Sequence, residues 1–300
     1  MATQQRSRSR RPSSSRQRGP RHVEAVLDPT WQSPYAPSTS ERESHQQALR
    51  HYGLQRKRAE MIIGAVLAVA LLIGTVVSPW LALAGLAIAL AVVFDVRRYF
   101  TSIERRGASL GSLVESTFQP AGTTKDRQRL LTVLDRLTAT FGVDTVSTFI
   151  IDEAGYNAAL VPSGASYAFF VTNAMMRDFE LIEIEGVVAH CLARQRLGVL
   201  ARESYSAVVK GSLAQRRELA GPGLTYRADE VAAAAIRYPL GLAGALRRCE
   251  RQVVPANSFF SSDKYDQWRF IWFNVWSDRV TRDLSDLDDV ELRALALEEW

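Results

Sequence analysis

Residues 61–77 (MIIGAVLAVALLIGTVV) and 80–94 (WLALAGLAIALAVVF) carry no charge and are almost wholly apolar, with only Ser78-Pro79 between them. An uncharged run of this length exceeds what a soluble core helix needs. It starts too deep in the chain, and runs too long, for a secretory signal peptide. The pattern predicts a transmembrane helical hairpin over residues 56–100, with helices about 59–77 and 80–96 and Pro79 at the turn. A single kinked helix is the alternative. Each half is short for a ~30 Å hydrocarbon core, so the span is thin or the helices run past the apolar limits.

Beyond the hairpin the periodicity changes. After a Gly/Ser/Thr-containing linker at 107–125, Leu130, Leu134, Leu137 and Phe141 fall at helical spacing, and Gly142 ends that helix. Residues 143–152 and 166–172 (SYAFFVT) read as buried strands. Leu181, Ile184, Val187, Val188, Cys191 and Leu192 mark an amphipathic helix over 181–198. A charged helical stretch follows at 199–219, and Gly221-Pro222-Gly223 breaks the chain before a helix over 225–251. Trp268, Trp272 and Trp276 make one stripe if 264–276 is helical, with core packing as its default role and an interaction face as the alternative. Asp288, with Glu291 three positions on, predicts the N-terminus of a last helix.

Charge divides the chain. Residues 1–60 carry 12 Lys/Arg against 5 Asp/Glu, whereas residues 61–300 carry 25 against 27. The overall +5 therefore describes a basic Arg/Ser/Pro-rich tail, read as disordered over 1–55, and argues against nucleic-acid binding by the domain at 107–300. The tail suits anionic lipid. Cys191 and Cys249 form no disulfide framework, consistent with a reducing compartment. Arg56-Lys57-Arg58 before the hairpin and Arg97-Arg98 with Arg105-Arg106 after it, around an uncharged turn, place both termini in the cytoplasm by the positive-inside rule.

Glu185-Gly186-Val187-Val188-Ala189-His190 resembles the approach to the active-site helix of the membrane zinc metallopeptidases typified by HtpX and the CAAX-prenyl proteases. The resemblance extends from about residue 60 to 255 in the order of its pieces. It implies an α+β, mainly helical, zincin-like domain with a small antiparallel sheet, on the cytoplasmic face of an inner membrane. In that family H-E-x-x-H begins at this histidine, but this chain has His190-Cys191-x-x-Arg194. Two histidines at i and i+4 share one helix face and bind one Zn²⁺, with the intervening Glu as general base. Arg194 has no lone pair to give, and Cys191 points about 100° away from His190. The remaining histidines, His22, His45 and His51, precede the hairpin, leaving the domain a single histidine. The family's third ligand opens an E-x-x-A-D pattern; Ala228-Asp229 match its end, and Thr225 stands at the ligand position.

These departures imply no catalytic residue and no metal. They point to a membrane-anchored pseudo-peptidase that binds proteins or peptides, regulates, or scaffolds, with the bilayer and a membrane or cytoplasmic protein as partners. The alternative is an active zinc endopeptidase of membrane-protein quality control, which would need zinc as cofactor. Asp229, a residue that orients a zinc-bound histidine in the family, is expected to pair with His190, Arg194 or both. Asn157-Ala158 and Phe169-Phe170-Val171 fall where the family binds substrate backbone along a strand edge, and are candidates for peptide binding.

Overall fold

The structure is a computed structural model that describes residues 35–143, 146–221, 223–275 and 289–300. The basic tail up to Pro34, Trp276 and Asp288 lie outside the described residues. Helix α1 (Thr39–Val77) begins at a capping box: Ser38 Oγ accepts from Glu41 N, and the Glu41 carboxylate accepts from Ser38 N. The tail reading of 1–55 is thus corrected, because residues 39–55 are helical. Ser78 is extended and Pro79 opens α2 (Pro79–Ala108), as expected where proline cannot continue a helix but suits a first position.

The two helices run antiparallel. Arg56 reaches Glu104 at 3.1 Å, and the rings of Tyr52 and Phe100 meet at 5.6 Å. Both helices run past the apolar limits of the stretches within them, the second of the two alternatives that the sequence left open. Among the described residues, α1 is long and apolar enough to cross a membrane by length and composition. Its apolar side chains Met61, Ile62, Val66 and Leu72 are exposed in the isolated chain, as are Ile88, Leu90 and Phe94 of α2.

The domain is mainly helical around one three-stranded sheet. Helix α3 (Leu110–Glu115) occupies part of the 107–125 linker, and α4 (Thr124–Phe141) is closed by Gly142 in the left-handed conformation. Strands β1 (Val146–Ile151), β2 (Ala158–Ser163) and β3 (Ser166–Thr172) take the order β1-β3-β2, and the short α5 (Asn173–Asp178) follows β3 directly. The sheet is mixed, not antiparallel: β3 pairs antiparallel with β2 but parallel with β1. The 152–157 connection carries the chain past β1, and the tight Gly164 turn then folds β3 back into the gap.

Side chains alternate across the sheet into two cores. Ile150, Leu160, Phe169 and Val171 face α4, α6 (Leu181–Arg196), α9 (Leu224–Ile236) and α10 (Pro239–Arg251). Ile151, Val161, Ala168 and Phe170 face α2, α3, α7 (Leu200–Val208) and an aromatic group that includes Phe260, Trp268 and Trp272. With both faces covered, a strand must be apolar throughout, which accounts for the unbroken Ala168–Val171 run.

Several boundaries differ from the periodicity. The stretch at 199–219 is two helices, α7 and α8 (Leu213–Ala220), and the one at 225–251 breaks where Arg237 turns left-handed (φ 57°) ahead of Pro239. After α11 (Asp263–Trp268) and a single 3₁₀ turn the chain extends, so Trp268 and Trp272 are core residues but not one helical stripe. Helix α12 (Val290–Glu298) is capped by Asp289, one residue later than expected. His45 of α1 is buried against α7, where it accepts from Arg202 Nη1 at 3.3 Å; the domain therefore holds a second histidine, supplied by α1.

Candidate functional site

Helix α6 is buried along almost its whole length, including His190, Cys191 and Arg194. Its crossing with α10 is closed by two glycines. A Cβ on Gly186 would lie 2.7 Å from Leu242 Cα, and one on Gly241 would lie 2.7 Å from Ile182 O. The glycine that leads towards His190 is therefore a contact point for another helix backbone.

His190 is fully buried, and its Nδ1 lies 2.7 Å from Asp229 Oδ1 on α9. Asp229 is held in turn by Arg293 of α12: Nε donates to Oδ2 at 2.6 Å and Nη2 to Oδ1 at 3.0 Å. Burial alone would raise the Asp229 carboxyl, but Arg293 and then His190 outweigh it and hold it at about 2. Burial lowers His190 to about 4, against the opposing pull of Asp229. The pair is thus a carboxylate and a neutral imidazole. An ionised carboxylate can only accept, so the proton sits on Nδ1 and Nε2 keeps its lone pair. That Nε2 is buried and has no hydrogen-bond partner among the described residues. Phe273 meets the imidazole edge-on at 5.1 Å between ring centres, and the Arg293 guanidinium lies 5.3 Å from the same phenyl ring.

Arg194 and Asp229 are not brought together. Arg194 pairs with Glu203 of α7, Nε to Oε1 at 2.9 Å and Nη2 to Oε2 at 2.5 Å. The remaining guanidinium hydrogens reach the carbonyls of Ile271 (3.2 Å) and Phe270 (3.0 Å). Burial opposes the charge on Arg194, and Glu203 more than offsets it. Of the partners expected for Asp229, His190, Arg194 or both, the structure shows His190 and not Arg194. Position 194 lies one turn beyond His190 and faces α7 and the 270–271 backbone. Thr225 is half-buried in the first turn of α9, one turn before Asp229.

The candidate peptide edge is also rearranged. Phe169, Phe170 and Val171 lie on β3, which is the central strand and not an edge. Asn157 and Ala158 do stand at the outer edge of β2, but the chain's own residues 272–274 occupy it. Ala159 bridges to Trp272, and Phe273 N donates to Ala158 O at 2.8 Å. Asn157 acts as a backbone surrogate for the next step: its Oδ1 accepts from Asn274 N at 2.9 Å and its Nδ2 donates to Asn274 O at 2.8 Å. Arg293 Nη1 donates to Phe273 O at 3.2 Å. A strap from Phe270 to Asn274 therefore crosses the face of His190, tied by Arg194 at one end and by Asn157 and Arg293 at the other. At the opposite edge, residues 119–121 lie along β1, with Ala121 N donating to Ile150 O at 2.8 Å.

The donors around His190 do not form a zinc set. Arg194 is a protonated guanidinium, and both Asp229 oxygens are engaged by Arg293 and His190. Burial pushes the Cys191 thiol up to about 12, far from the thiolate that binds metal. Among the described residues, no group of three or more His, Cys, Asp or Glu is placed to hold a metal ion. Arg293, Glu203 and the strap were not singled out by the sequence: a lone Arg or Glu on a short charged helix reads as solvent-facing. Comparisons with models of known families, with curated proteins and with solved structures found no match.

Proposed function

We propose that the chain is a membrane-anchored, non-catalytic module in which buried ion pairs and a strap stand where a metallopeptidase of the HtpX type would hold metal and substrate. The observation that carries this reading is the double use of the two site arginines. Arg194 and Arg293 each neutralise a buried carboxylate and also hold a carbonyl of the strap across His190. Among the described residues, a site of this construction offers one imidazole as metal ligand, and the strand edge beside it is covered by the strap. Its work is then to bind or position other proteins through its outer surface, not to cleave them.

The anchoring part of the proposal is a hairpin that spans an inner membrane twice, with both termini cytoplasmic. Supporting it are the antiparallel packing of α1 and α2, the basic residues Arg56, Lys57, Arg58, Arg97 and Arg98 at the open end, and the uncharged turn. The basic tail at 1–34 would add attraction to anionic lipid.

A working zinc endopeptidase is the second reading, and the lone pair on His190 Nε2, which has no partner among the described residues, is the feature that favours it. Metal analysis separates the two. Full-length protein in detergent, purified without chelator and again after zinc reconstitution, is expected to hold no more zinc than its His190→Ala variant. Stoichiometric zinc that depends on His190, together with phenanthroline-sensitive cleavage of casein, would overturn the non-catalytic reading.

A further inference from the structure

Where α2 leaves the apolar run, a pocket of about 310 Å³ opens between it and the end of α7. Its walls are Asp95, Arg98, Tyr99, Ser102 and Arg106 of α2 and Lys210 just beyond α7, over a floor of Ile103 and Val208. The volume is at the low end of the ~300–1,000 Å³ usual for small-molecule sites. Three cations face one carboxylate.

Arg98, Arg106 and Lys210 have no carboxylate partner among the described residues, while their neighbour Arg56 pairs with Glu60 and Glu104 and Arg97 approaches Glu60. The pocket cations are therefore available to an external anion. Their position also bears on what that anion is. Arg98 stands one helical turn past Phe94, the last residue of the uncharged run, about 6 Å along the axis. Side chains on a helix lean towards its N-terminus, and on α2 that direction is back towards the apolar segment. Ser102 and Tyr99 add hydroxyl donors at the same level.

We propose that this pocket binds the headgroup phosphate of an anionic phospholipid from the leaflet on the domain's side. The site would seat the folded domain against the membrane surface, since Lys210 belongs to the domain and Arg98 to the membrane helix. The inference rests on the membrane-anchored reading.

The test uses full-length protein reconstituted in vesicles of equal phosphatidylglycerol and phosphatidylcholine, then released in mild detergent, with retained lipids counted by native mass spectrometry. Phosphatidylglycerol is expected to be enriched about tenfold, and to fall to near parity in R98Q/R106Q/K210Q. A variant with equal charge loss on exposed residues elsewhere, K125Q/R127Q/R251Q, should keep the enrichment. Lys210→Gln alone, which leaves the membrane helix untouched, should lose part of it. Equal enrichment in both triple variants would overturn the site, as would release of the lipid by millimolar inorganic phosphate, which would assign the pocket to a free anion. Protein that leaves the vesicles under carbonate extraction would overturn the membrane reading and the site together. Protein that stays inserted without a lipid preference would overturn the site alone.

Discussion

Arg293 grips Asp229 with two parallel hydrogen bonds, at 2.6 and 3.0 Å, and both side chains are almost completely buried. A bidentate pair of this kind offsets its desolvation only while both members are present. Asp229→Ala is expected to cost ~3–5 kcal/mol, because it removes the buried carboxylate that Arg293 grips and the acceptor of His190. In a domain of this size that corresponds to a fall in Tm of roughly 6–20 °C. The double variant D229L/R293M should lose less than either single change, which thermal unfolding of the three proteins in one detergent would read directly. A single D229A variant as stable as wild type would show that the cluster does not hold the fold.

The same cluster makes the fold sensitive to acid. His190 titrates at about 4 in the folded protein against an ordinary value of 6.5. Between those values the unfolded chain binds a proton that the folded one does not, so stability rises with pH across that window and is lost as pH falls through it. Asp229, held at about 2, adds a loss of the same sign below its ordinary 3.8. The urea midpoint should be flat above about pH 6.5 and drop towards pH 4. His190→Gln keeps a donor for Asp229 without the titration. The difference between its profile and that of wild type isolates the histidine, and identical slopes would refute the assignment.

The elements around the site were largely readable in the sequence, and its contacts were not. The i, i+3, i+4 spacing from Leu181 marks α6 because one helix meets one core, and Gly142 marks a stop because few other residues accept its φ of 62°. Nothing local in Arg293 or Glu203 tells that each is buried, since burial depends on where α12 and α7 dock. Strand pairing is similarly silent. The apolar run of β3 is the same whether β1 runs parallel or antiparallel to it, and it carries no mark of the order β1-β3-β2. The Trp268-Trp272 spacing is that of a helix, yet Trp272 is drawn into extended backbone (ψ 151°) by the unfilled edge of β2.

Rebuilding the metallopeptidase motif should fail. In C191E/R194H, the buried Arg194–Glu203 pair and the Arg194 bonds to the Phe270 and Ile271 carbonyls would be lost, and a new carboxylate would enter a position with no solvent exposure. The expected outcome is a Tm at least about 6 °C below wild type and no zinc-dependent cleavage of casein. Recovery of phenanthroline-sensitive proteolysis by these two changes would mean that the strap yields easily and the site is open to peptides.

Asn157 decides whether the strap stays on the sheet. Its side chain satisfies both backbone groups of Asn274 and also accepts from Ala158 N at 3.0 Å, all in buried surroundings. Alanine there would orphan the Asn274 and Ala158 amides, at ~1–3 kcal/mol each before relaxation or water entry, and leave Asn274 O with the Tyr265 hydroxyl at 3.3 Å. The cheaper response is for residues 272–274 to detach, which would also release the 2.8 Å bond from Phe273 N to Ala158 O. Hydrogen exchange on Asn157→Ala should therefore show the amides of Phe273 and Asn274 exchanging at least about tenfold faster, while Ala159 and Phe170, a hydrogen-bonded pair within the β2–β3 hairpin, keep their protection. Uniformly faster exchange across the sheet would instead make Asn157 part of the global core, and unchanged exchange would mean that the strap is held without the Asn157 side chain.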